Sequence, residues 1–280
     1  MGYDDIVGVL PKLSRVGAPH KRLYYENKIK SILFKAGYSE IYTYTFGDKG
    51  EVAIVKGLAA DKEKLRTNLG AGVLSALEMN LRNAPLLGMN VVKVFEFGNV
   101  FTQDCEWRSF SLGIDDGKKK SNFAAEVDEL LSRVSDELGG GKVPFVISST
   151  KPYVIEVNFD AYIETLPVPE KYEKLLNEQV NVVYKSVSAY PFMLRDIAMW
   201  APEGITQDEI LAIIRTEGGE LLTRANLFDV FKKEVDGVSR TSYAFNLVFL
   251  SHERTLSDVE INEIMARMTE KLSARGLEVR

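Results

Sequence analysis

Three stretches late in the 280-residue sequence decide the fold: LRDIAMW at 194–200, LTRANLFDVF at 222–231 and SYAFNLVFL at 242–250. Each is rich in β-branched and aromatic residues and lies between turn formers, as strands do. Between the first two, Thr206 stands three residues before Glu209, the reciprocal pattern that opens a helix. Ile210, Ile213 and Ile214 give that helix an apolar side, and Gly218-Gly219 end it. After the third stretch Ser257 and Glu260 form a second capping pair. Ile261, Ile264, Met265, Met268 and Leu272 follow at helical spacing up to Gly276. Leu277–Arg280 leaves a short last strand, so the order is β-α-β-β-α-β.

That order is the ferredoxin-like motif. Its two helices cover one face of the sheet and leave the other open. Period-two alternation assigns the side chains. In the third strand Tyr243, Phe245, Leu247 and Phe249 face the core, which puts Ser242, Ala244 and Asn246 on the open face. In the second, Phe228 and Val230 suit the core, with Leu227, Asp229 and Phe231 outward. In the first, Ile197 and Met199 point in, and Asp196, Ala198 and Trp200 point out. A face of small residues, one or two aromatics and a carboxylate suits a flat nucleic-acid base. An aromatic stacks it, Asp229 accepts from a base N–H, Ser242 donates or accepts, and Ala198 leaves room. A neighbouring domain would cover such a face equally well, and alternation does not separate the two.

Working outward, residues 1–20 hold scattered Gly and Pro and read as an extended lead-in. A helix is expected over 21–36, strands over 41–46 and, more weakly, 52–58, and a helix over 72–83 ended by Asn83-Ala84-Pro85. Strands at 91–97 and 110–114 follow. A polar loop at 115–120 leads to a helix at 123–138, closed by Gly139-Gly140-Gly141. Strands come next near 143–149 and 153–159, then a short helix at 170–177 after Pro167 and Pro169, and a further strand at 180–184. The class is α+β, with two domains expected at 1–187 and 188–280.

Composition narrows the function. Hydrophobic residues are 45% and charged residues 27%, a globular balance. One cysteine, Cys105, excludes an internal disulfide and a multi-cysteine zinc site, and two distant histidines speak against a His-rich metal site; no metal site is expected. No run of about 18 apolar residues predicts a membrane span, and no signal peptide is legible at the N-terminus, so the cytoplasm is expected. The net charge is −5, and residues 188–280 carry 11 basic against 15 acidic side chains. RNA binding there must come from a local patch rather than a basic domain. The stretch with Lys12, Arg15, Lys21, Arg22, Lys28, Lys30 and Lys35 against Glu26 reads as a solvated helix face or as a surface for RNA or an acidic partner.

Tyr190-Pro191, Arg195-Asp196-Ile197-Ala198, Leu227–Phe231, Ser242–Phe245, Arg254–Asp258 with Glu260, and Leu277–Arg280 together resemble the anticodon-binding domain at the C-terminus of phenylalanyl-tRNA synthetases. The resemblance implies Phe231 as the residue that stacks the first anticodon base, where the family usually has Tyr. It implies Asp229 as base acceptor, with Ser242 and Ala198 lining the site. Arg254, Lys232 and Lys233 are candidate phosphate contacts, with solvated charge the plainer reading. Gly2–Pro11, Leu65–Leu69, Leu74–Asn80 and Val94–Phe101 are similar to the exit from the preceding domain and to the non-catalytic, antiparallel class II synthetase-like module of the bacterial β subunit. Residues 118–187 match poorly; only Tyr153–Tyr162 resembles a family strand there. The expectation is a C-terminal fragment of the β subunit, packed on the catalytic α subunit of an α2β2 holoenzyme and contacting tRNA(Phe). The holoenzyme would use ATP and Mg²⁺ to join phenylalanine to the tRNA.

No catalytic residue is expected in the chain itself. No Gly-x-Gly-x-Gly-x-x-Arg is present, and Arg66 and Arg82 read as surface structural arginines. Gly139–Lys142 lacks the spacing of a phosphate loop. Glu96 reads as a paired carboxylate. The rival readings are a stand-alone ferredoxin-like regulatory domain, an acylphosphatase-like enzyme (Ala201–Gly204 lacks the arginine that would need), and a scaffold whose sheet face is covered by its first domain.

Overall fold

The structure, a computed structural model, describes residues 7–9, 17–57, 59, 61–171, 184, 186–235 and 238–280. Most of the lead-in, Lys12 and Arg15 with it, most of the expected helix at 170–177, and the strand at 180–184 apart from Tyr184 lie outside the described residues. The chain divides into two compact units, Met1–Asn80 with Val91–Glu178 and Leu81–Asn90 with Gln179–Arg280.

The first unit is built on α1 (Lys21–Lys35), β1 (Ser39–Glu40), β2 (Phe46–Gly47), β3 (Lys64–Leu65), the first part of α2 (Gly70–Leu87, which passes to the second unit from Leu81), β4 (Val92–Phe101), β5 (Glu106–Asp115), α3 (Ala124–Leu138), β6 (Val146–Thr150), β7 (Tyr153–Asn158) and α4 (Phe159–Glu164). Its main sheet runs β1-β4-β5-β7-β6 and is antiparallel except for β1 against β4. Ile29, Ile32 and Leu33 of α1 and Val127, Leu131 and Val134 of α3 join Phe95, Phe97, Phe110 and Leu112 in one core. Phe97 stacks on Phe110 at 4.7 Å and meets the edge of Phe159 at 5.1 Å. Burial of each such side chain contributes about 1.5–3 kcal/mol. A Cβ at Gly113 would lie 2.6 Å from Leu77 Cδ1, so glycine is what lets α2 pack this closely on β5.

Four local expectations are corrected here. Residues 41–45 are not strand: the backbone N–H and hydroxyl of Thr43 donate to Glu96 (3.2 and 2.7 Å), drawing the chain off the ladder, and Tyr42 and Tyr44 stay exposed. Among the described residues of 52–58 only an isolated bridge, Ala53 to Lys64, forms. Pro85 does not end α2, which runs to Leu87 and stops at Gly88, in the left-handed region at φ +66°. Phe159 starts a helix instead of ending a strand, because Asn158 Oδ1 accepts from Ala161 N at 3.0 Å and caps α4.

The basic stretch is used inside the unit. Lys30 pairs with Glu26 (3.0 Å) and Glu40 (2.6 Å), Arg22 with Asp160 (2.9 Å), and Lys28 lies over the Tyr24 ring at 4.9 Å. Burial pushes the Glu26 carboxyl up, yet the Arg108 and Lys30 side chains that donate to it outweigh burial and hold it below the usual carboxylate range.

The second unit has β8 (Met193–Ala201), α5 (Gln207–Gly218), β9 (Leu222–Val235), β10 (Val238–Phe249), α6 (Asp258–Ala274) and β11 (Glu278–Val279). The sheet order is β11-β8-β10-β9, antiparallel throughout. This is the expected β-α-β-β-α-β arrangement. Ile210 and Ile214 of α5 and Ile261, Met268 and Leu272 of α6 bury one face with Ile197, Met199, Phe245, Leu247 and Phe249. Thr206 and Glu209 form the full reciprocal cap. At α6 only half of it forms: Ser257 accepts from Glu260 N, while the Glu260 carboxylate binds Arg254 instead.

The alternation in β9 needs one correction. Asp229 stands opposite Ala244, but Phe245 stands opposite Leu227, so the ladder skips Phe228. This β-bulge inverts the order on its N-terminal side. Leu227 turns to the core and packs on it, and Phe228 is 60% exposed.

Candidate nucleic-acid interface

The register lays out the open face of the second unit in rows. One row holds Glu278, Trp200, Ser242 and Phe231 across β11, β8, β10 and β9. The next holds Arg280, Ala198, Ala244 and Asp229; Arg280 N donates to Ala198 O at 2.8 Å, continuing the β11 ladder. A third holds Asp196, Asn246 and Asn226. The four residues expected to form the site therefore occupy two adjacent rows of one face. Phe231 is 54% exposed and Asp229 is exposed. Segment 81–90, which belongs to this unit, takes up the far end of the face, where the Leu86 carbonyl accepts from Arg224 Nε at 3.2 Å.

Two side chains complete the first two rows. Trp200 meets Phe231 edge to face, ring centres 6.1 Å apart at 66°. The Arg280 guanidinium lies 5.1 Å from the Trp200 ring centre and donates to Ser242 Oγ at 2.7 Å. An exposed cation–π contact of this kind contributes about 0.5–1 kcal/mol. With its oxygen accepting from Arg280, the Ser242 hydroxyl is left free to donate. Ser242 is buried beneath this contact, and the face offers an aromatic platform at Phe231, an acceptor at Asp229 and a floor of alanines. Arg280 was missed by sequence reasoning; extending the alternation into Leu277–Arg280 would have placed it here.

The candidate phosphate contacts separate. Lys233, opposite Arg240, shares the face of Phe231, while Lys232, opposite Thr241, points to the other side. Arg254 is bound to Glu260 by two bonds, 2.8 and 2.5 Å, in the link between β10 and α6, and Arg240 pairs with Glu278 at 3.1 Å.

Arg66 is no surface group: its Nη1 donates to Glu96 Oε1 at 2.7 Å and to Thr43, and its Nε to Asn99 O at 3.0 Å. Glu156 accepts from Leu69 N and Gly70 N, each at 3.0 Å, at the start of α2, and from Ser109 Oγ at 2.6 Å. A carboxylate therefore holds the helix end that would attract a phosphate. The adjoining cleft of about 610 Å³ is lined by Thr67, Asn68, Trp107, Ser148 and Glu156 among others, with no Lys or Arg.

Residues 188–280 match the ferredoxin-fold anticodon binding domain, and residues 6–109 match the phenylalanyl tRNA synthetase beta chain CLM domain. The chain belongs to the phenylalanyl-tRNA synthetase β-chain family. Its relatives include the chloroplastic phenylalanine–tRNA ligase beta subunit of Phaeodactylum tricornutum, 24% identical over 98% of this chain and 45% of that protein. The beta subunits of Thermosynechococcus vestitus and Staphylococcus aureus are 26% and 25% identical over 97% and 100% of the chain, and 38% and 40% of theirs. The chain thus spans less than half the length of these relatives. The alignment to the S. aureus β subunit runs over 341 positions against 280 residues here, so this family member lacks residues within the region they share. Neither family model covers 110–187, where sequence resemblance was weakest.

Proposed function

We propose that the chain acts as part of a phenylalanyl-tRNA synthetase β subunit that binds the anticodon of tRNA(Phe) through residues 188–280. Phe231 stacks the first anticodon base, Asp229 accepts from its edge, and Ser242 and Ala198 line the pocket, with Lys233 on the same face for the backbone. Residues 1–187 form a non-catalytic, class II synthetase-like module that packs on the catalytic α subunit. The holoenzyme, working in the cytoplasm, joins phenylalanine to tRNA with ATP and Mg²⁺, and this chain supplies binding rather than chemistry. The observation that carries the reading is the row of exposed Phe231, half-buried Trp200 and buried Ser242 beside exposed Asp229, within the region matched by the anticodon-binding family model.

The test is direct binding of tRNA(Phe) by fluorescence anisotropy. One base stacked on an aromatic contributes about 1–3 kcal/mol, so Phe231→Ala should weaken binding by roughly 5- to 150-fold. Asp229→Ala should weaken it as well, with circular dichroism unchanged. Undiminished affinity in both variants would remove the assignment.

A further inference from the structure

The first unit holds a cleft that RNA binding by the second leaves unused. It lies on the α2 side of the main sheet, and its volume of about 610 Å³ is that of a small-molecule site. The ladder explains why it is open. In β5 Gly113 packs under α2, and alternation puts Trp107, Ser109 and Ser111 on the same face. Ser109 stands opposite Asn158, the last residue of β7, after which the chain turns into α4. Trp107 therefore has Val100 of β4 on one flank, while β7 has already ended on the other. Its half-buried ring lines the cleft. Leu74 and Ala71 of α2 and Val146 of β6 add apolar wall.

Charge decides what the cleft can hold. Of the residues lining it only Glu156 is charged, and that carboxylate already accepts from Leu69 N, Gly70 N and Ser109 Oγ. A phosphate or carboxylate would meet a negative wall with no cation in it. An ammonium would have to draw Glu156 away from the amides it holds. An uncharged molecule meets neither penalty. Neutral hydrogen-bonding groups are left for it. Asn158 Oδ1 accepts from Ala161 N at 3.0 Å, which leaves the Asn158 Nδ2 hydrogens to bond elsewhere. The hydroxyls of Ser148 and Ser149 on β6 can each donate and accept. We infer that this cleft binds an uncharged ring compound with neighbouring hydroxyl groups, its face against Trp107 and its hydroxyls on Ser148, Ser149 and Asn158. Nucleosides and simple sugars share that chemistry, and the test separates them.

The experiment titrates the whole chain with adenosine, adenosine monophosphate, glucose and glucose 6-phosphate, by calorimetry and by saturation-transfer NMR. Adenosine or glucose should bind, and the tighter of the two names the ligand class. Each phosphate should bind roughly fivefold more weakly than its parent, with the gap narrowing as salt is added. Trp107→Ala should weaken binding of the neutral probe by about tenfold. Trp107 also borders a second cleft that holds Lys21 and Arg22, so a further variant must localise the site. Ala71→Met does so. Ala71 is an exposed helix position that lines only the first cleft, and a longer side chain there fills it. It should weaken binding by a similar factor with the melting temperature unchanged. The inference is overturned if neither adenosine nor glucose binds, or if a phosphorylated probe binds as well as its parent. Unaltered affinity in Ala71→Met overturns it too, whatever Trp107→Ala does and even if that variant fails to fold.

Discussion

The β9 bulge can be tested by two neighbouring substitutions whose effects it reverses. In an unbroken strand Phe228 faces the core and Leu227 faces out. With the ladder skipping Phe228, Leu227 packs on the core and Phe228 is 60% exposed. A fully buried Leu→Ala change costs about 2–5 kcal/mol. Leu227 is only partly buried, so Leu227→Ala should cost roughly 1–2 kcal/mol by that measure. Phe228→Ala removes a mostly solvated ring and should fall within about 0.5 kcal/mol of wild type. Guanidinium unfolding followed by tryptophan fluorescence measures both. The chain has two tryptophans, Trp107 and Trp200, so a Trp107→Phe background makes Trp200 in β8 the reporter of the second unit. The midpoint should drop for Leu227→Ala at constant m, since the surface exposed on unfolding is unchanged. A larger loss for Phe228→Ala than for Leu227→Ala would refute the bulge, and with it the placement of Asn226 on the open face.

Two more outcomes follow from the charges. Glu26→Gln breaks a buried carboxylate's pairs with Arg108 (2.8 Å) and Lys30 (3.0 Å) and should cost about 3 kcal/mol at neutral pH. Because the folded carboxyl titrates below its unfolded value, its stabilisation is complete above about pH 4.3 and is lost as pH falls through the lower folded value. Acid unfolding curves should therefore be flatter for Glu26→Gln across that window, and parallel curves would contradict the pairing. For RNA, Lys233 and Arg280 are cations beside the Phe231 and Asp229 rows with no carboxylate bound among the described residues, so about two phosphates are neutralised. Single-strand contacts of that number give a log K against log salt slope of about −1.4. A titration steeper than about −4 would mean that bulk charge drives binding after all.

The second unit was legible because its signals were local and redundant. Caps at Thr206 and Ser257, glycine stops and clean alternation in β8 and β10 all pointed one way. What escaped was set by pairing rather than by residue type. No composition rule marks Phe228 as the skipped residue, since the bulge follows from the register of β9 on β10. Arg280 contributes from just past β11, a strand of two residues whose alternation has to be carried one residue beyond its end to place it. In the first unit Ile41–Phe46 has strand chemistry, but the Glu96 carboxylate captures Thr43 and takes the chain out of the ladder. Pro85 falls near the C-terminal end of α2, where the chain can still tolerate it before Gly88 turns.

The two units treat their polar side chains in opposite ways, and that contrast bears on function more than net charge does. In the first unit the groups that resemble catalytic machinery hold one another: Arg66 with Glu96, Glu156 with the α2 amides, Arg108 with Glu26. A partly buried charge satisfied at 2.7–3.0 Å has little left to offer a ligand, and displacing its partner leaves an uncompensated charge. On the open face of the second unit, Phe231 and Asp229 are exposed, and half-buried Asn246 donates to Asp196. These are groups whose binding is strongest with neutral, flat, edge-polar partners. An acidic domain can therefore take hold of RNA by its bases while its charge keeps the phosphates to the rim, at Lys233. That arrangement favours discrimination over affinity, because a wrong base forfeits a hydrogen bond that no electrostatic attraction makes good.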